Sequence, residues 1–168
     1  MTRDVWFISD THFGHANIIK YCRSQFASLA DMEGHIIALW NETVKPQDLV
    51  YHLGDFAWKT EDAKRVRPLL NGSIRLIVGN HDDIPSLASA GLFQRIYLWR
   101  QFREEGFTAS HIPMRRDQLR HGTMNLHGHV HGDLDGLESF HRDMSVESIG
   151  YTPIHFDDVA AWAKAASA

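Results

Sequence analysis

Val5-Trp6-Phe7-Ile8-Ser9-Asp10-Thr11-His12 is the stretch on which the reading of this chain turns. The short apolar run from Val5 to Ser9 reads as a buried strand. Asp10 stands at its carboxyl end, and on an extended backbone Asp10 and His12, two residues apart, share one face. Open α/β sheets gather ligands at the carboxyl ends of their strands. A carboxylate and an imidazole in that position therefore point to a site as well as to a fold.

The same arrangement recurs along the chain. A second strand, Asp48 to Leu53, ends at Gly54-Asp55, and a third, Ser73 to Val78, ends at Gly79-Asn80-His81-Asp82. Between them lie a helix from Leu29 to Val44, closed by Pro46, and a polar helix from Lys59 to Leu70, stopped by Asn71-Gly72. A short helix follows from Pro85 to Ala90. The second half is richer in strands. Phe93 to Phe102 and Phe107 to Ser110 read as a hairpin around Glu104-Glu105-Gly106. Thr123 to Leu126 runs into His127-Gly128-His129-Val130-His131, Ser139 to Ile149 alternates like a further strand, and Asp157 to Ala166 reads as a closing helix capped near Asp157. The expectation is an α/β layered fold whose sheet is parallel at first and antiparallel later.

The length of 168 residues is that of one domain, and no linker or repeat divides it, so residues 1–168 are read as a single domain with no cap domain. A chain of this size buries roughly 70% of its unfolded surface and needs no staples. Its one cysteine, Cys22, excludes an internal disulfide and any intrachain disulfide partner, and fits a reducing compartment. No apolar run reaches the length of a membrane span. Met1 to Asp4 lead into the first strand without a signal-peptide pattern. The expectation is an unprocessed cytoplasmic protein with no membrane partner. The 17 basic and 21 acidic residues give a formal charge of −4, no footprint for non-specific nucleic-acid binding. A phosphate-bearing substrate remains compatible if bound metal ions supply positive charge locally, and two divalent ions would bring the formal charge to zero.

The 12 histidines carry the chemical signal, because several stand beside aspartates and glycines at strand ends. The motifs Asp10-Thr11-His12, Gly54-Asp55, Gly79-Asn80-His81-Asp82, Ser110-His111 and Gly128-His129-Val130-His131 offer carboxylate, amide and imidazole donors but no thiolate. That set suits manganese, iron or zinc and excludes an all-sulfur zinc site. Each motif alone is weak. Their joint occurrence, each just after a strand, is specific.

Together these motifs resemble the calcineurin-like metallophosphoesterases over essentially the whole chain. The opening Ser9-Asp10-Thr11-His12-Phe13-Gly14-His15-Ala16-Asn17-Ile18-Ile19 is similar to that of a small subgroup. Met144-Ser145-Val146-Glu147 with Tyr151-Thr152-Pro153-Ile154 is similar to the last core strand and its exit in compact bacterial and phage members. The resemblance implies a four-layer α/β/β/α sandwich of mixed sheets around a dinuclear metal centre. Asp10, His12 and His131 would hold one ion, Asn80, His111 and His129 the other, and Asp55 would bridge them. His81 would bind no metal but act as general acid on the leaving oxygen. Asp82, next to it in the chain, reads either as the residue that orients this imidazole or as a turn or cap residue. The implied activity is metal-dependent hydrolysis of phosphate esters by in-line attack of a hydroxide shared by the ions. Manganese is the first expectation for the pair, with iron, zinc or nickel as alternatives.

Departures from the family narrow the substrate. The protein phosphatases carry Gly-Asp-x-Val-Asp-Arg-Gly, whereas this chain reads Gly54-Asp55-Phe56-Ala57-Trp58-Lys59 and lacks the arginine and second acid. Branches acting on lipid-linked nucleotides have arginine where His81 stands. With no length for a cap, the site should be open and suit a small phosphodiester or a nucleic-acid end. His15, Asn17 and Arg115 are candidate substrate contacts, Arg115 as a planar fork for phosphate, and Trp58 is a candidate for stacking on a base or sugar. His52 and His127 read as supporting residues, while His35, His121, His141 and His155 have no motif around them. A phosphomonoesterase, or a non-catalytic binding module stabilised by its metals, are the alternatives. No segment marks an oligomeric interface.

Overall fold

The computed structural model describes residues 3–119 and 123–167; His121 lies outside the described residues. Two sheets face each other. The first has the order β4-β3-β2-β1-β9 and is built from β1 (Val5–Ile8), β2 (Leu49–His52), β3 (Ser73–Ile77), β4 (Arg95–Tyr97) and β9 (Ile154–His155). Its first four strands run parallel and β9 is antiparallel to β1. The second has the order β5-β6-β7-β8, from β5 (Trp99–Phe102), β6 (Phe107–Ser110), β7 (Met124–His127) and β8 (His141–Asp143). Here β5 and β6 form the expected antiparallel pair, but β6, β7 and β8 are parallel. The second half is therefore a mixed sheet rather than an antiparallel one.

Side-chain alternation explains the layering, because neighbouring strand residues face opposite ways. Phe7, Leu49, Tyr51 and Ile77 join Phe107, Ala109, Met124 and Leu126 in the apolar layer between the sheets, to which the closing helix α5 (Phe156–Ser167) adds Val159 and Ala163. Ile8, Val50, Ile74 and Leu76 face the other way. They pack against Ile18 of α1 (Ile18–Tyr21), Met32, Ile36 and Trp40 of α2 (Leu29–Thr43), Ala63 and Val66 of α3 (Thr60–Val66), and Leu87 of α4 (Ile84–Ala90). The outer face of the second sheet is polar but buried. Asn125 accepts from the main-chain N–H of Met114 (2.7 Å) and donates to Ser110 Oγ (3.0 Å) and to the Thr108 carbonyl (3.1 Å).

Local chemistry sets the element ends. Ser28 caps α2, its hydroxyl accepting from the main-chain N–H of Asp31 (3.1 Å). Asp83 caps α4, which has Pro85 in its first turn and ends at Gly91 in the left-handed conformation. Two expected strands are shorter than read. The run Phe93 to Phe102 divides at Leu98, and its halves join different sheets. Ser139 to Ile149 is a strand only over β8, after which Ser9 and Ser145 form an isolated bridge and residues 147–152 turn back. No helix among the described residues is long and apolar enough to cross a membrane.

His52 closes β2 and is fully buried. Thr11 Oγ1 donates to the Phe56 carbonyl (2.8 Å), so it accepts from His52 Nε2–H (3.0 Å), and His52 Nδ1 has no partner. Burial, against the pull of Asp10 and with help from His111 and His12, pushes the ring down to about 3 from the ordinary 6.5. The unfolded chain therefore takes up a proton near pH 6.5 that the folded chain refuses until about pH 3. Stability from this group is complete above that window and falls through it by about 1.4 kcal/mol per pH unit. Thermal midpoints of wild type and His52→Gln across this range should show a shallower acid limb in the variant. Equal slopes would mean the ring is not held neutral.

Candidate metal centre

The strand ends are sewn together before any side chain is considered. Asp10 N–H donates to the Gly54 carbonyl (3.0 Å), His12 N–H to Asp55 (3.0 Å) and Trp58 N–H to Phe13 (2.8 Å), which zips the loop after β1 to the loop after β2. Met144 N–H donates to the His127 carbonyl (2.7 Å) and Ser9 N–H to the Met144 carbonyl (2.9 Å), so the segment after β8 fastens one sheet to the other. Two glycines permit this closeness. A Cβ on Gly79 would run into the Asp55 carboxylate, and one on Gly128 into Ser9 Oγ and Asp10 Oδ2.

Backbone strain concentrates in the same place. Six non-glycine residues among those described have positive φ, and five are Asp10 (58°), His12 (49°), Asp55 (54°), His129 (75°) and His131 (51°). Such conformations cost about 1–3 kcal/mol each and persist only where surrounding structure enforces them. The expectation that Asp10 and His12, and likewise His129 and His131, share a face through an extended backbone is thereby corrected. Left-handed residues curl each loop so that both side chains turn to a common centre.

There the polar atoms converge as acceptors. His111 Nδ1–H donates to the Leu53 carbonyl (2.8 Å), so a neutral ring presents a bare Nε2 to Asn80 Oδ1 (2.9 Å) and to Asp55 Oδ2 (3.6 Å). Asn80 Oδ1 also lies 2.9 Å from His129 Nδ1. His131 Nδ1–H faces Glu147 Oε1 (3.0 Å), which turns Nε2 towards Asp10 Oδ1 at 3.7 Å. His12 Nε2 is 3.8 Å from Asp10 Oδ1 and 3.5 Å from Asp55 Oδ2. Neither nitrogen of His12 nor Asp10 Oδ1 has a hydrogen-bond partner, although all three are buried. Unpartnered polar atoms that face one another in this way would be satisfied by a cation between them. The donor set is oxygen and imidazole, so the residues fit divalent ions. Asp10, His12 and His131 form one compact group, and Asp10, Asp55 and His111 a second.

Charge preferences agree. Burial alone would raise Asp10, but the His12 ring and the charges of His111 and His131 hold it well below the usual carboxylate range. Burial opposes a charged His131, yet contacts with Cys22 and Glu147 and the charges of Asp10 and Glu147 push it up to about 10. The carboxylates of Asp10 and Glu147 thus favour positive charge beside them.

His81 stands apart. Its main-chain N–H donates to Asp55 Oδ1 (2.9 Å), its Nε2 lies 4.0 Å from Asp55 Oδ2, and its side chain is 36% exposed at the rim. Asp82 differs from the expectation that it orients this imidazole. Its Oδ2 accepts from the main-chain N–H of Asp55 (2.9 Å) and Gly79 (2.8 Å), and its Oδ1 from that of Phe56 (3.1 Å). Both oxygens are thus spent on tying the loop after β3 to that after β2. His15 is buried and stacks on Trp58 beside the centre. Asn17 is exposed and starts α1 without a side-chain cap. Arg115 is brought to no other candidate residue. It is exposed and paired with Asp117 (3.3 Å).

Two supporting residues escaped sequence reasoning. Arg23 is entirely buried. Its Nε donates to Glu147 Oε1 (2.7 Å), its Nη1 to the Thr11 carbonyl (3.0 Å) and its Nη2 to the Asp10 carbonyl. One guanidinium thus holds the strained Asp10-Thr11 backbone and the carboxylate that orients His131. In the sequence Arg23 sits in the polar run Cys22-Arg23-Ser24-Gln25, indistinguishable from a surface arginine. Ser145 Oγ, 3.2 Å from Asp10 Oδ2 and 2.6 Å from Asp143 Oδ1, completes the support.

Residues 4–163 match the calcineurin-like phosphoesterase family. This chain belongs to that family. It is similar to an uncharacterized protein of Methanocaldococcus jannaschii, 36% identical over 164 residues that cover 92% of this chain and 88% of the other. The crystal structure of a protein of unknown function from Aquifex aeolicus is similar in fold, with a TM-score of 0.76 and 28% identity over 95% of this chain and 99% of that one. Calcineurin-like phosphoesterases depend on a dinuclear metal centre, and this member has candidate residues to hold one. Cys22, His131 and Glu147 also lie close together. There, however, the Arg23 guanidinium already neutralises Glu147, so this family member uses that corner as support.

Glu147→Gln keeps the shape of this support but removes the charge that orients His131. Calorimetric titration of metal-stripped protein with Mn²⁺ should show one binding event weakened about 10–100-fold while the other persists. Two unchanged affinities would refute the supporting role.

Proposed function

We propose that this phosphoesterase hydrolyses phosphodiesters, with His81 as the proton donor to the leaving oxygen. In this reading Asp10, His12 and His131 hold one divalent ion, Asn80, His111 and His129 the other, and Asp55 lies between them. The observation that carries it is the contrast between the buried, mutually facing acceptors around Asp55 and the half-exposed His81 pinned at their rim. A purely structural metal site has no use for that imidazole. When bound, the ions supply the charge that neutralises the phosphoryl oxygens and favours ionisation of an attacking water. Asp55 holds the His81 main chain through its Oδ1, which fixes the imidazole relative to the centre. His81, carrying a proton on its ring, gives it to the departing alkoxide.

Preference for a diester rests on charge. A monoester brings an extra negative charge, and the arginines nearest in sequence are engaged elsewhere. Arg115 pairs with Asp117, while Arg116 lies over the Phe140 ring (4.7 Å) and donates to the Thr123 carbonyl (3.0 Å). Manganese is the ion assigned to the mixed oxygen and imidazole donors in this reading, with iron, zinc or nickel as alternatives.

The test is metal reconstitution of stripped protein with Mn²⁺, Ni²⁺, Zn²⁺ or Mg²⁺ separately, comparing an aryl phosphodiester with the matching monoester. Metal-dependent turnover favouring the diester is expected. Asp55→Asn should abolish it, and His81→Ala should lower kcat by about 10²–10⁴. Equal turnover of both esters would remove the diester preference. No turnover of either ester with two ions demonstrably bound would sink a broad phosphoesterase activity and leave either a highly selective enzyme or a metal-stabilised binding module.

A further inference from the structure

Trp58 is a large aromatic side chain that the fold leaves 40% exposed although its backbone is held on both sides. Its N–H donates to the Phe13 carbonyl (2.8 Å), and the neighbouring Ala57 bridges Phe13. One face of the indole is occupied. The His15 ring lies parallel to it at 4.1 Å, only 10° from coplanar orientation. The His81 ring is 5.1 Å away and tilted by 41°. The indole is therefore rigid, backed on one side, and adjacent to the imidazole read above as donor to the leaving oxygen. Rigid exposed aromatics of this kind bind through stacking at low entropic cost.

Beyond Trp58 a groove of about 640 Å³ runs between α3 and α4, with Lys59, Lys64, Glu61 and Asp83 among its lining residues. Its two lysines are balanced by two carboxylates. A long polyanion would find no net attraction there, whereas an uncharged, hydroxyl-bearing group attached to an aromatic ring would find both a stacking face and hydrogen-bonding partners.

We propose that Trp58 and this groove form the subsite for a nucleoside leaving group, so that the substrate is a small nucleotide-type phosphodiester rather than a long nucleic acid. The proposal rests on the phosphodiesterase reading and specifies its substrate class. Water adds its oxygen to phosphorus, the bond from phosphorus to the nucleoside oxygen breaks, and that oxygen leaves with the proton from His81. The products are a phosphomonoester and a nucleoside whose base lies against the indole.

Binding can be measured without turnover. Mn²⁺-loaded protein is titrated with adenosine monophosphate and, separately, with ribose phosphate, which lacks the base. Wild type should bind the former about tenfold more tightly. Trp58→Ala should erase that preference, and Trp58→Phe, which keeps an aromatic face, should retain most of it. Equal affinities in wild type, or a preference that survives in a folded Trp58→Ala protein, would overturn the proposal. Hydrolysis of an aryl phosphodiester by wild type, followed in parallel, separates the two readings. Turnover without a base preference would remove the nucleoside subsite and leave the hydrolase. A base preference without turnover, at full metal loading, would remove the hydrolase and with it the leaving-group role, leaving Trp58 as part of a nucleotide-binding site.

Discussion

Everything at the site depends on one electrostatic constraint, the convergence of amide and imidazole groups on the buried carboxylates of Asp10 and Asp55. The His111 Nε2, Asn80 Oδ1 and Asp55 Oδ2 atoms face one another, and so do His12 Nε2, His131 Nε2 and Asp10 Oδ1. Carboxylates buried in this way call for positive charge beside them in a low-dielectric interior. The fold enforces it all the same, through left-handed residues at the strand ends and through glycines that let loops meet where a side chain would collide. A structure that holds this much strain and unsatisfied polarity in one place is organised for binding cations rather than for stability.

Arg23 shows how that enforcement works. A buried guanidinium is tolerable only when its hydrogen bonds and charge are met. Here Glu147 meets the charge, and the carbonyls of Asp10 and Thr11 each accept a further N–H. The same cation therefore fixes the backbone of one candidate ligand and, through Glu147, the ring orientation of another. Asp82 plays the corresponding part on the other side, with both oxygens committed to main-chain N–H groups of two loops. The site is thus framed by two charged side chains that hold its backbone in place.

Much of the fold was legible because strand and helix periodicities are local. Leu29–Thr43, Leu49–His52, Ser73–Ile77 and Phe107–Ser110 fall where apolar patterning and turn residues put them. The failures are equally physical. Phe93 to Phe102 reads as one strand because nothing in its composition marks Leu98 as the point where the chain leaves one sheet for the other. Only the pairing of β4 with β3 and of β5 with β6 makes that division. The two-residue strand β9 is too short to carry a period, and it exists because β1 offers it an edge.

For the site, the sequence by itself determined which side chains had the right chemistry. Oxygen and imidazole donors follow successive strands, and a parallel α/β sheet must bring its strand ends to one side. Tertiary structure alone decided how they are held and what else belongs with them. Arg23 and Glu147 are 124 residues apart and share no local pattern. Asp82 anchors backbone instead of orienting His81, and Arg115 lies exposed against Asp117. Trp58 takes its place from the main-chain bond to Phe13 and from His15 stacked on it and His81 beside it. Donor identity is a property of single residues and can be read one letter at a time. Orientation, burial and charge compensation are properties of pairs distant in sequence, and they come into being only when the chain closes on itself.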